Sequence, residues 1–216
     1  MHHARQHAET RTRERRRRLA HEAARLMAES GIRDYHQAKL KAADRLGIHD
    51  DASLPRNREI EDALREYQRL FQGEAQAAGL RQRREAALRA LEFFAMFDPR
   101  LVGPVLEGTA DRNSPVALQL YTDDADAVAR HLDQHAIPAE ARSRRLRLDR
   151  ERLIDAPVWL FSAEELTFDL TVLPHDALRQ APLSPIDEKP MRRASATQLR
   201  AVLAEEEIED YERGVG

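Results

Sequence analysis

The chain has no cysteine, which removes disulfides, thiolate zinc sites and a thiol nucleophile together. Aromatic residues make up only 5% of it, and much of its 42% apolar content is alanine. That composition favours closely packed helices over the bulky interior of a sandwich. Long apolar runs are also missing, since none approaches the ~20 residues of a transmembrane helix. The arginine-rich start leads into Leu19–Met27, which His21, Glu22 and Arg25 interrupt, and so it lacks the apolar core of a signal peptide. No membrane association is expected, and a cytoplasmic location is the expectation. There is no Gly-Lys-Ser/Thr phosphate loop and no GxGxxG dinucleotide turn. Ser114, Ser143, Ser162 and Ser184 lack the setting of a nucleophile elbow.

What is present is charge, at 34% of 216 residues, with a net value of −3 that hides an asymmetry. Residues 1–18 carry seven arginines (Arg5, Arg11, Arg13 and Arg15 to Arg18) against Glu9 and Glu14, a local excess of +5. The stretch from Glu205 to Glu209 and Asp210 is acidic instead, so the two ends are suited to attract each other or different partners. The run Arg15–Arg18 suits nucleic-acid phosphates, but no aromatic stacking platform accompanies it. A solvated helix face is the plainer explanation.

The first half reads as helices. Leu19, Ala23, Leu26 and Met27 recur at helical spacing before Gly31. Asp34 suits the cap of a second helix through Ala38, Ala42 and Leu46 to Gly47. A third begins near Asn57 with Ile60, Leu64, Tyr67 and Phe71 on one stripe, and a fourth spans roughly Leu80–Phe97. From Leu101 the texture changes to short apolar runs between turns. Strands are expected at Leu101–Leu106, Val116–Tyr121, Ser143–Leu148, Val158–Phe161 and Leu166–Leu173, with a helix from about Asp124 to His135. Pro182, Pro185 and Pro190 make residues 179–190 extended or turning. Ser195 and Gln198 have capping-box spacing for a last helix, Ala196–Tyr211. The expected class is α+β: a helical domain with a basic start (1–97), a small mixed-sheet core with flanking helices (98–178), and a proline-containing extension with a C-terminal helix (179–216).

Within the core, the segment from Val102 through Gly108-Thr109 to Ser114-Pro115-Val116-Ala117-Leu118 resembles the DNA polymerase beta superfamily of nucleotidyltransferases. The signature of that family is a strand, Gly-Ser, a short helical turn, then Ser-Asp-hydrophobic-Asp on the next strand. Its glycine lets the backbone approach a triphosphate, the following hydroxyl and amides hold phosphate oxygens, and alternate carboxylates on one strand face bind two Mg²⁺ ions. A third aspartate on a neighbouring strand completes the site, and Asp169 in Leu166–Val172 matches it. The resemblance implies a nucleoside triphosphate with Mg²⁺ as ligand, held through Gly108, Thr109 and Ser114, with Asp169 as catalytic and metal-binding carboxylate.

The departures are specific. Pro115 and Ala117 stand where the family has its first two acids, and neither side chain binds a metal. Strand parity keeps them on the correct face, because Val116, Leu118 and Leu120 form the apolar one. Asp111 is the better replacement, since Asp123 lies about six residues beyond Ala117, roughly 20 Å away. Arg145 and Arg147, in a cluster with Arg142, Arg144, Arg150 and Arg152, suit a nucleotide phosphate if their strand borders the pocket. As an edge strand they would equally discourage aggregation. His131 and His135 have i, i+4 spacing that can bind a metal, but no third ligand is in view. Three functions follow as expectations: a noncatalytic nucleotidyltransferase-like protein binding a nucleotide, RNA or other nucleic acid, or a protein partner; an active enzyme with a remodelled site using Asp111 and Asp169; or a helical interaction module, residues 10–97.

Overall fold

A computed structural model of the protein describes residues 2–71, 73–149, 151–184 and 189–214. Arg150 and Pro185 lie outside them, as do the side chains of Arg5, Phe71, Glu209 and Asp210. The chain forms two compact units, one up to Gln76 and the other from Ala77 onward. No helix among the described residues is long and apolar enough to cross a membrane.

The first unit is helical: α1 (His2–Ser30), α2 (Tyr35–Leu46) and α3 (Asn57–Phe71). Its interior is small-residue packing, with Ala20, Ala23 and Ala24 of α1 against Ala38, Ala42 and Ala43 of α2, and Leu19, Met27, Ile60 and Leu64 filling between. Asp34 caps α2 by accepting from Gln37 N at 2.7 Å. Gly47 ends it in the left-handed region at φ 62°, where a side chain would be strained.

The second unit is α+β. Its elements are α4 (Gly73–Phe93) from Ala77 on, β1 (Arg100–Val102), α5 (Pro104–Glu107), β2 (Val116–Tyr121), α6 (Ala125–Gln134), β3 (Glu140–Arg147), β4 (Leu153–Ala163), β5 (Leu166–Leu173) and α7 (Ala196–Gly214). The expected strand at Leu101–Leu106 ends early, at Val102, because Gly103-Pro104 begins a helical turn. Proline at the first helical position is preorganised for that start. Ser195 and Gln198 form the expected capping box: Ser195 N donates to Gln198 Oε1 at 2.9 Å, and Gln198 N donates to Ser195 Oγ at 3.4 Å.

The strands form one mixed sheet in the order β1-β2-β5-β4-β3. The central β2 and β5 run parallel, and every other pair is antiparallel. One face is apolar: Val116, Leu118, Leu120, Phe168, Leu170 and Val172 share a core with Ala87, Leu91 and Phe94 of α4, Val128 and Leu132 of α6 and Leu199 of α7. Pro157 sits inside β4 opposite Ser143, and the pairing of β4 with β5 starts only at Val158. A proline has no N–H to give a neighbour, so the first part of β4 pairs with β3 alone.

Two arginines of α4 fasten α5 and the loop that leads from it into β2. Arg83 donates from Nη2 to Arg112 O at 2.6 Å and from Nε to Ser114 O at 3.2 Å. Arg84, buried, donates from Nε to Val105 O at 3.0 Å and from Nη2 to Leu106 O at 3.3 Å, and pairs with Glu206 of α7. Burial lowers the pKa of both guanidinium groups, and nearby carboxylates oppose the shift. Replacing Arg84 with Met strands two carbonyls and a partly buried carboxylate, so the unit should lose about 2–4 kcal/mol. Urea unfolding followed by circular dichroism measures this, and Arg84→Lys should recover little because an ammonium lacks the fork. A midpoint unchanged in Arg84→Met would refute the assignment.

Candidate functional site

The second face of the sheet holds the polar residues, and the register aligns them in rows. Ala117 lies beside Asp169, Gln119 beside Thr171 and Tyr121 beside Leu173 on the parallel strands. On the far side of β5, Leu160 of β4 is opposite Asp169 and Val158 is opposite Thr171. Asp169 is only 7% exposed, so its charge requires a local partner. Arg144 supplies it from β3, two strands away. Its Nη2 donates to Asp169 Oδ2 at 2.6 Å, while Nη1 donates to Oδ1 at 3.2 Å and to Thr171 Oγ1 at 3.0 Å. This is the two-pronged geometry in which a guanidinium binds a carboxylate most specifically. The arginine side chain itself stays 43% exposed.

Toward Tyr121 the same face is closed by the chain after the sheet. The Tyr121 hydroxyl donates to Gln119 Oε1 at 2.8 Å and accepts from Arg193 Nη1 at 2.7 Å. Arg193 also donates to Ala177 O and Leu178 O, both at 3.1 Å. Gln119 Nε2 donates to Met191 Sδ at 3.6 Å. Burial dominates at Tyr121 and raises its phenol pKa, with Arg193 working in the opposite direction. The proline-containing segment is therefore partly a cover for the polar face. The less buried end carries Ala117, Pro115 and Leu160 beside the Asp169–Arg144 pair.

Gly108 ends α5 with φ 80°, and a β-carbon there would lie 3.7 Å from Arg84 Nη2. Thr109 is buried, and its N–H donates to Pro104 O at 3.0 Å. These two thus close a helix. The glycine at a helix start beside Ala117 is Gly103, with φ 73°, where an added β-carbon would lie 3.9 Å from that of Ala117. Ser114 donates to Asp111 Oδ1 at 2.8 Å, and the same oxygen accepts from Asn113 N at 2.8 Å. Asp111 is thereby engaged in its own loop. Asp123, at the far end of β2, accepts from His175 N at 3.0 Å.

On β3 the arginine brought to Asp169 is Arg144; Arg145 and Arg147 have the opposite parity and lie on the other face. Arg145 pairs with Asp155 at 3.2 Å. Arg144 and Gly103 are the residues that sequence reasoning passed over. Each had a signal, namely the shared parity of Arg144 with Leu146 and the Gly-Pro step that starts α5. Among the described residues no three histidine, aspartate or glutamate side chains converge as a metal-ligand group.

His131 and His135 pack with phenylalanines. Their ring centroids are 4.5 Å apart, and Phe93 lies 4.8 Å from His131 and 4.7 Å from His135. His135 Nδ1 is 2.8 Å from His131 O. Burial lowers the His131 pKa, and the neighbouring His135 adds to the effect.

No family model matches the chain, and no significant match to a curated protein or a solved structure is found.

Two outcomes follow from this geometry. Arg144→Met leaves Asp169 without its cation and should cost about 1–3 kcal/mol, whereas Arg144→Met combined with Asp169→Leu should recover much of the loss. Strict additivity in that double-mutant cycle would show the pair to be uncoupled. Because burial in the folded state disfavours a proton on His131 while the unfolded chain takes one up near pH 6.5, stability is full above that value and falls as the pH drops below it. Thermal melts between about pH 8 and pH 5.5 should therefore show a steeper decline for the wild type than for His131→Gln. Parallel curves would remove His131 as the cause.

Proposed function

We propose that the second unit is a nucleotidyltransferase-like domain without two-metal catalysis, and that it acts by binding a nucleotide. The observation that carries this reading is the side-by-side placement of Ala117 and Asp169, with Arg144 closed on the carboxylate. The strand, glycine turn, short helix and second strand occur in the family's order, and the next strand in the sheet brings an aspartate to the required face. Two divalent ions need several anionic oxygens from protein and substrate together. Here alanine and proline stand in two of the three positions, and a guanidinium saturates the third.

An arginine in place of metal ions changes what the site does with a phosphate. It offers fixed positive charge and directional N–H donors, which hold an anionic oxygen without polarising it as a divalent ion would. Arg142, on the same face of β3 as Arg144 and paired with Glu140 at 2.9 Å, adds a second exposed guanidinium. A bound triphosphate would draw on both. The remodelled-enzyme alternative is weakened because Asp111 already accepts two hydrogen bonds within its loop.

Isothermal titration with nucleoside triphosphates, with and without Mg²⁺, tests the reading. Binding should be largely independent of Mg²⁺ and weaken about ten-fold in Arg142→Ala combined with Arg144→Ala. Absence of heat at millimolar nucleotide would end the binding proposal. Mg²⁺-dependent incorporation of labelled nucleotide that disappears in Asp169→Asn would show the domain to be catalytic instead.

A further inference from the structure

The sheet ends on β3, and its outer edge is built to receive another strand. All eight residues of β3 pair with β4 in unbroken register, from Glu140 opposite Leu160 to Arg147 opposite Leu153. In an antiparallel pair, residues alternate between those that exchange both backbone hydrogen bonds with the partner and those whose N–H and C=O point away. Two bonds fix the phase. Leu148 N donates to Arg152 O at 2.9 Å, while Arg147 O accepts from Leu183 N at 2.8 Å, outside the sheet. Ala141, Ser143, Arg145 and Arg147 therefore direct their backbone groups outward. Leu183 occupies the last of these positions. Among the described residues no backbone hydrogen bond engages the outward groups of Ala141, Ser143 and Arg145.

The opposite edge of the sheet is managed differently. There β1 has three residues, and Leu101 exchanges both backbone bonds with Ala194, at 2.8 and 3.0 Å. Long open edges invite pairing, and charge on them selects what can pair. β3 carries Arg142 and Arg144 toward one face and Arg145 and Arg147 toward the other, against the single acid Glu140. A second copy of β3 would set arginine against arginine across the new ladder, where like charges repel. Glutamates on an added strand would instead meet a guanidinium on either face.

We infer that the outer edge of β3 is a docking site for an extended acidic peptide segment of a partner protein, which adds as a sixth strand. Backbone bonds to Ala141, Ser143 and Arg145 supply the register, and the arginine side chains supply the selectivity. This inference does not depend on nucleotide binding.

The test uses the full chain and a fluorescent octapeptide of alternating threonine and glutamate, followed by anisotropy. Ser143→Pro removes an outward N–H while sparing the bonds to β4, since proline is tolerated on an edge whose donor faces solvent. It should weaken binding at least about ten-fold, as should Arg145→Glu combined with Arg147→Glu. Against the wild-type protein, the same peptide N-methylated at alternate residues should also lose binding, a control that does not depend on any variant folding. An alternating threonine–lysine peptide should not bind. No binding of the acidic peptide at millimolar concentration, or equal binding by its N-methylated form, would overturn the inference. Dimerisation in light scattering that Ser143→Pro abolishes would assign the edge to a second copy and overturn it as well. So would displacement of the peptide by oligo(U) with affinity unchanged in Ser143→Pro, which would mark a nonspecific polyanion surface.

Discussion

The parallel pairing of β2 with β5 is the constraint from which the second unit is arranged. These two strands are far apart in sequence, and the intervening chain must supply a helix and two further strands before β5 returns. Once they pair, strand parity does the rest. Val116, Leu118, Leu120, Phe168, Leu170 and Val172 fall on the face that shares a core with the helices. Ala117, Gln119, Tyr121, Asp169 and Thr171 fall on the other. A shift of one residue in register would expose the first set and bury the second. The position of Asp169 beside Ala117 is thus inseparable from the hydrophobic core on the reverse side of the same strands.

Arginine provides the second level of organisation. Arg84 holds α5 and Arg83 the loop after it through backbone carbonyls, Arg193 ties the chain after the sheet to Tyr121, and Arg144 joins the edge strand to the centre. In each case the planar fork satisfies two or three acceptors at once, for which lysine has no equivalent geometry. A chain poor in aromatics and without cysteine has few other ways to pin irregular backbone. Its high content of charged residues is therefore partly internal scaffolding.

Much of this was legible in the sequence, for identifiable reasons. Val116–Tyr121 and Leu166–Leu173 alternate strongly enough that both strands match their expected limits. Asp34, Gly47 and the Ser195–Gln198 box announce helix ends through local chemistry that tertiary contacts do not override. Parity alone placed Asp169 and Ala117 on one face. What sequence reasoning missed depended on other parts of the chain. β4 runs several residues beyond the apolar stretch Val158–Phe161 because β3 gives its first half a partner. Gly108 looked like a phosphate-binding glycine, yet its neighbour in space is Arg84, 24 positions earlier. Choosing Arg144 over Arg145 required knowing that Leu146 faces the same side as the polar row.

The reach of Arg144 also bears on how this sheet can change over generations. To meet Thr171 and Asp169 the guanidinium must pass over β4, a span of about 10 Å across two strand spacings. The β4 side chains nearest its path on that face, Ala156 and Val158, are small and almost fully buried. A bulkier residue at Ala156 would lift the arginine and leave the carboxylate uncompensated, so β4 cannot drift freely even though it contributes no charged group to the pair. The permitted size of a silent alanine is dictated by an electrostatic partnership between its neighbours. Descendants of this sequence would be expected to lose all three residues together or none.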